Sequence, residues 1–132
     1  AVVNAEGVVG QVVDVYDGYA DVMLVADPRS RVDVMSQRTR ARGMVRGLGH
    51  SKDYEARIAY LRRKDEVDQG DALVTSGKGG IYPAELQVGT ISTVDRRSFG
   101  LEQNATVDPN VDFGRLEEVF VVTGDRTSGR RP

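Results

Sequence analysis

Apolar and polar positions alternate along most of this chain with the period of two that places successive side chains on opposite faces of a strand. Arg31 to Met35 alternates, and so does Glu55 to Leu61, with Ala56, Ile58 and Tyr60 on one face and Arg57, Ala59 and Leu61 on the other. Val8 to Val15 and Tyr19 to Ala26 read as a hairpin about the pair Asp17-Gly18, where Gly accepts positive φ. Asp27-Pro28-Arg29-Ser30 is a turn, with Pro presetting φ. Further strands are expected at Gly43–Gly49, Ala72–Thr75, Leu86–Asp95, Gly100–Val107 and Glu117–Val122, with turns at His50–Asp53 and Asp108-Pro109-Asn110. No amphipathic helix longer than a turn or two is visible. The fold class is all-β.

An internal repeat organises these strands. Val9-Gly10-Gln11-Val12 matches Val88-Gly89-Thr90-Ile91, and Val15 matches Val94. An aromatic follows in each copy, Tyr19 and Phe99, and each copy runs into Asp-Pro, at Asp27-Pro28 and Asp108-Pro109. The expectation is two small β-barrel-like domains in tandem, with a boundary near Thr39. Residues 1–39 form the first, which has about three strands and is incomplete. Residues 40–123 form the second, with about six strands, enough to close a small barrel without free edges. The polar, Arg-rich tail 124–132 is expected to be disordered. An incomplete first unit exposes an edge and needs partner strands, from upstream of Ala1 or from a neighbouring chain.

Composition narrows the function. A net charge of −2 gives no global field toward nucleic acid or anionic lipid. With no Cys, disulfides and thiolate metal sites are excluded. The longest apolar run, Val22 to Ala26, is too short to span a bilayer. The chain opens abruptly on Ala-Val-Val, as a piece of a longer protein would, so any targeting or anchoring segment is expected upstream.

Candidate chemistry is sparse. His50 is the single His, with Ser51 and Asp53 nearby, but it sits in a polar turn rather than against an ordered carboxylate. One His without Cys cannot supply the usual zinc ligands. Ser76-Gly77-Lys78-Gly79-Gly80 has its Lys ahead of the last glycines and leads to Ile81-Tyr82-Pro83, not to a phosphate-cradling helix, so it reads as a β-connection. Glu117 and Glu118 are adjacent in an expected strand and point to opposite faces. Arg38, Arg40, Arg42 and Arg46 lack the interleaved aromatics of a base-stacking surface. They read as a solvated strand edge or an intramolecular ion-pair surface. Ile81, Tyr82, Pro83 and Leu86 are either a buried plug or an exposed anchor for a partner.

An ordered set of segments resembles the bacterial rod-shape-determining family MreC. It comprises Gly7–Val15, Leu24–Pro28, Gln37-Arg38-Thr39, Ala41-Arg42-Gly43, Val45-Arg46-Gly47, Asp71–Gly77, Gly80–Pro83, Val88-Gly89 and Arg115–Val119. Two positions depart from the family pattern: Glu85 stands where the family has Gly, and Gln87 where it has Pro. The resemblance implies paired β-barrels resembling those of chymotrypsin-type proteases, periplasmic and anchored by an upstream transmembrane helix. It implies a non-enzymatic scaffold of the cell-elongation machinery that organises peptidoglycan synthesis. Its implied partners are itself, an elongation-specific class B penicillin-binding transpeptidase and other elongasome membrane proteins, with no cofactor, no metal and no nucleic acid. The second reading is a degenerate chymotrypsin-like hydrolase, which requires His50 beside Asp53 and a reactive Ser. A nucleic-acid-binding barrel would rest on the Arg cluster alone.

Overall fold

The computed structural model describes residues 1–49, 53–62, 67–95 and 102–123. Ten strands follow in order: β1 (Val2–Asn4), β2 (Gly7–Tyr16), β3 (Tyr19–Leu24), β4 (Arg31–Ser36), β5 (Arg42–Gly47), β6 (Ala56–Arg62), β7 (Ala72–Thr75), β8 (Gln87–Asp95), β9 (Glu102–Pro109) and β10 (Phe120–Val121). A 3₁₀ turn, Phe113–Arg115, precedes the last of them. Strands β4-β5-β6-β9-β8-β7 close into a six-stranded barrel, and β10-β1-β2-β3 form an open four-stranded sheet. The all-β expectation holds, as do the six-stranded barrel and the smaller, open first unit.

The membership of the two units differs from the expectation. Arg31 to Met35, assigned to the first unit, pairs with β5 and β7 and belongs to the barrel. The expected closing strand Glu117–Val122 shrinks to Phe120–Val121 and pairs with β1 in the open sheet. The two assignments trade places, so the barrel still has six strands, while the open sheet gains β1 and has four, and the sequence boundary near Thr39 does not separate the sheets. Alternation reports which face a residue occupies, not which strand lies beside it.

The barrel interior follows from alternation and register. Val32 pairs with Val45, Val45 with Ile58, Ile58 with Ala105 and Ala105 with Val94, giving one row of apolar side chains across five strands. Val32, Val45 and Ile58 are fully buried. Apolar residues of the open sheet, Val2, Val8 and Val9, and of the turn that follows β3, Val25 and Ala26, join the same hydrophobic cluster. Sheet and barrel therefore share one core, which makes each hold the other in place.

Glycines mark where backbone meets backbone. A side chain on Gly47, at the end of β5, would overlap the backbone of Ala26. Gly7 likewise faces the carbonyl of Gln87 at the start of β8. The Gly49 amide donates to the Ala26 carbonyl at 2.9 Å, closing the seam.

The internal repeat has a structural counterpart. Gly10 lies opposite Leu24, and Gly89 opposite Pro109, each against a partner backbone with no room for a Cβ. The register shifts three residues after each glycine begins its pairing, between Val12 and Asp14 and between Ile91 and Thr93. The Val9 carbonyl accepts from the Val25 amide at 2.9 Å, and the Val88 carbonyl from the Asn110 amide at 3.0 Å. One part of the sequence match is displaced. Pro109 remains in β9, so the counterpart of Asp27 is Asp112, not Asp108. Both of these Asp side chains accept from an amide two residues on, Arg29 at 2.8 Å and Gly114 at 3.1 Å, turning the chain out of the hairpin.

Gly47→Ala is expected to destabilise the protein by about 3 kcal/mol or prevent folding, because the overlapped atoms are backbone and cannot rotate away. Gly79→Ala, where nothing lies within 4 Å, should cost no more than the strain of its φ of +88°. Chemical denaturation of the two variants checks the contrast.

Candidate protein-interaction surface

The loop from Ser76 to Leu86 joins β7 to β8 and is pinned at its base by Thr75. The fully buried Thr75 hydroxyl donates to the Pro83 carbonyl at 2.6 Å and accepts from the Leu86 amide at 2.8 Å. The Thr75 amide donates to the Leu86 carbonyl, and its carbonyl accepts from the Glu85 amide, both at 2.8 Å. Gly77, with φ of +82°, brings the loop against Ala84.

This frame sorts the four candidate residues. Tyr82 is 6% exposed and joins the core cluster, and Leu86 packs half-buried against it. Ile81 is 50% exposed, and Pro83 is exposed beside it. Tyr82 and Leu86 thus pack inward as a plug, while Ile81 and Pro83 face solvent. The Tyr82 hydroxyl is buried without a hydrogen-bond partner among the described residues. Burial pushes its pKa up to about 12.

Glu85 adopts φ of +69°. A non-glycine residue there is strained. Arg40, also left-handed at φ of +66°, reaches its carboxylate at 3.1 Å. The left-handed backbone at Glu85 is thus accompanied by one exposed ion pair to Arg40.

The arginines after β4 are largely committed within the chain. Arg38 holds Asp71 through two bonds of 2.9 Å, and the Asp68 amide donates to the same carboxylate at 2.9 Å. These donors, Arg38 foremost, hold the Asp71 carboxyl below its ordinary range despite its burial. Arg42 forks onto Asp33 at 2.7 and 2.8 Å, and the Ser76 hydroxyl donates to Asp33 at 2.6 Å. Burial opposes ionisation of Asp33, but Arg42 and Ser76 outweigh it and its pKa falls. The ion-pair reading of Arg38, Arg40 and Arg42 is what the structure shows. Arg46 makes no such pair among the described residues.

Ser76 to Gly80 forms a β-connection, with the Lys78 amide donating to the Ser76 hydroxyl at 3.1 Å. Glu117 and Glu118 are exposed and lie outside any strand, because β10 begins only at Phe120. Asp53 is exposed at φ of +54° and borders an open cleft with Tyr54, Asp108, Asn110, Asp112 and Phe113. His50 and Ser51 lie outside the described residues, as do Phe99 and the tail from Gly124.

Sequence reading missed two groups of exposed apolar side chains. On the β2–β3 hairpin, Val13, Val15, Tyr16 and Tyr19 are 44–77% exposed. On the edge strand β10, Phe120 and Val121 are 66% and 56% exposed. The signal was present as an apolar run on both faces of Val8–Val15, more than one buried face needs.

The family model for "Rod shape-determining protein MreC, barrel core" matches residues 1–123. The chain belongs to the MreC family. A cell shape-determining MreC of Caulobacter vibrioides is 44% identical over 88 residues, covering 67% of this chain and 25% of that protein. The chain spans between a quarter and under half the length of the curated MreC relatives it matches. The crystal structure of MreC from Pseudomonas aeruginosa superposes with a TM-score of 0.81 at 28% identity, covering 89% of this chain and 75% of that one. Two more distant structures, each 22% identical, share the fold. One is MreC in complex with the penicillin-binding protein PBP2 of Helicobacter pylori, at a TM-score of 0.68 over 84% of this chain and 68% of that one. The other is the major periplasmic domain from the cell shape-determining filament MreC, at 0.70 over 83% and 68%. These MreC relatives are named as shape-determining proteins, not as enzymes, and membership of this family sets the hydrolase reading aside.

Tyr82→Phe removes an unpartnered hydroxyl while keeping the ring, so stability at neutral pH should be unchanged or rise by up to about 1 kcal/mol. The folded phenol keeps its proton to about pH 12, while the unfolded phenol loses it near 10. Wild-type stability should therefore fall as pH rises from about 10 to 12, and the Phe variant should lack that component. Asp71→Asn should cost about 1–2 kcal/mol at pH 7, discounted for the half-exposed Arg38. Because the folded Asp71 pKa lies below the unfolded one, its contribution is present above about pH 4 and lost as pH falls further. Denaturation midpoints across the acid range should converge for the two proteins below that point.

Proposed function

We propose that this chain is the barrel-bearing part of a non-enzymatic periplasmic scaffold of the cell-elongation machinery, anchored to the inner membrane through a segment outside it. It works by associating with itself and by holding an elongation-specific class B penicillin-binding transpeptidase, with other elongasome membrane proteins gathered around that pair. The observation that carries the reading is the distribution of exposed apolar side chains on an MreC framework. They concentrate on the β2–β3 hairpin, on the edge strand β10 and on one pinned loop. Exposed contiguous apolar surface on a stable fold marks sites of protein contact. The complex of the Helicobacter pylori relative with PBP2 and the filament of the other relative support the two kinds of contact.

Within this reading, Ile81 and Pro83 meet the transpeptidase, and Tyr82 and Leu86 hold them in place from the barrel side. Preorganisation by Thr75 lowers the ordering cost of such a contact. Binding that favours one conformation of the enzyme would shift its population toward that state, by no more than the difference in affinity.

A pull-down with the elongation transpeptidase of the same organism tests this. Wild-type chain should retain the enzyme, and Ile81→Asp should weaken retention at least tenfold with the fold intact by circular dichroism. Failure of wild-type chain to bind either the transpeptidase or itself, the latter read by light scattering, would overturn the proposal.

A further inference from the structure

Two patches of unpaired like charge, opposite in sign, stand on separate parts of this surface. On the outside of the barrel, Arg31 pairs across the strands with Arg46, and Arg46 with Arg57. All three are exposed and lie side by side over β4, β5 and β6. Adjacent strands are about 4.8 Å apart, so the row is about 10 Å long. Arg31 donates only to the carbonyls of Pro28 and Ser30, each at 3.0 Å. None of the three forms an ion pair among the described residues. Asp33, diagonal to Arg46, is already committed to Arg42 and Ser76. Glu55 and Asp108, exposed at the end of the row, make no ion pair with it.

The opposite sign gathers at the other end of the chain. Residues 1–28 contain Glu6, Asp14, Asp17, Asp21 and Asp27 and no Lys or Arg. On the β2–β3 hairpin, Asp14 lies directly opposite Asp21, and Tyr16 directly opposite Tyr19 on the same face. The two rings stack at 4.7 Å, and Tyr16 donates to Asp21 at 3.2 Å. All four are exposed, and neither Asp has an ion-pair partner among the described residues.

Like charges directly opposite one another destabilise a sheet. The chain carries this cost twice, with matching spacing, since Asp14–Asp21 and Arg46–Arg57 are each one cross-strand pair apart. It does so while Arg29, Arg38, Arg40 and Arg42 all find carboxylates. The pair of tyrosines adds faces on which guanidinium groups stack favourably.

We propose that the arginine row Arg31–Arg46–Arg57 of one copy receives the acidic, aromatic tip of the β2–β3 hairpin of a second copy. The inference rests on the self-association proposed above and names its two surfaces. Contact between them neutralises both patches at once, and its electrostatic part weakens as salt rises.

Charge reversal tests it by sedimentation velocity and light scattering. R46E/R57E makes both surfaces acidic, and D14R/D21R makes both basic, so each alone should assemble at least tenfold more weakly than wild type. An equimolar mixture should regain assembly, because each variant then offers the complement of the other. The milder R46Q/R57Q and D14N/D21N report the same weakening if a reversed variant loses its circular dichroism spectrum. Wild-type assembly that persists unchanged in both variant pairs overturns the surface assignment and leaves self-association standing. A wild type that never assembles overturns both. Unchanged assembly with lost binding to vesicles of anionic phospholipid would assign the row to a membrane surface and also overturn the proposal.

Discussion

The arrangement of this protein depends on a backbone-to-backbone seam between its open sheet and its barrel. Gly47 lies against Ala26, Gly7 against Gln87, and the Gly49 amide donates to the Ala26 carbonyl. No side chain separates the two units there, so their hydrophobic faces merge into a single core. A small four-stranded sheet with two edges has little apolar area of its own to bury. Packed onto the barrel, it shares the barrel's stability and projects the β2–β3 hairpin as a fixed arm.

For the proposed scaffold role, rigidity of this kind matters. A contact surface on a fixed frame loses little entropy on binding. The loop after β7 shows the same economy: one buried hydroxyl, that of Thr75, satisfies two backbone groups and fixes the exposed Ile81 and Pro83. The polar surface is divided in the same spirit. Arg38 and Arg40 pair with carboxylates that tie the turn after β4 to the start of β7 and to the loop, and Arg42 ties β5 to β4, while the outer row on β4, β5 and β6 is left bare.

Much of the fold was legible because alternation is a local property. Arg31 to Met35 showed its buried face at once, as did Ala56 and Ile58, and the Gly10 and Gly89 positions of the repeat proved to be equivalent close approaches. Neighbour identity was not legible. The three residues of β1 and the two of β10 are too short to show a period, and they find each other from opposite ends of the described chain. The exchange of strands between the two units follows from that. The same distance limit governs the candidate site. Arg38 meets Asp71 and Arg40 meets Glu85 across 33 and 45 positions, which no motif spacing encodes. The loop Ile81–Leu86 was recognisable as special by composition, but only packing could turn Tyr82 inward and leave Ile81 outside.

Native-state hydrogen exchange tests most directly whether the seam makes sheet and barrel one cooperative unit. The amides of Val9 and Val25 on the sheet side and of Val45 and Ile58 in the barrel are the reporters. The shared core predicts that all four open only with global unfolding, at one common free energy. Exchange of Val9 and Val25 at a free energy several kcal/mol below that of Val45 and Ile58 would show the sheet opening by itself and would contradict the account.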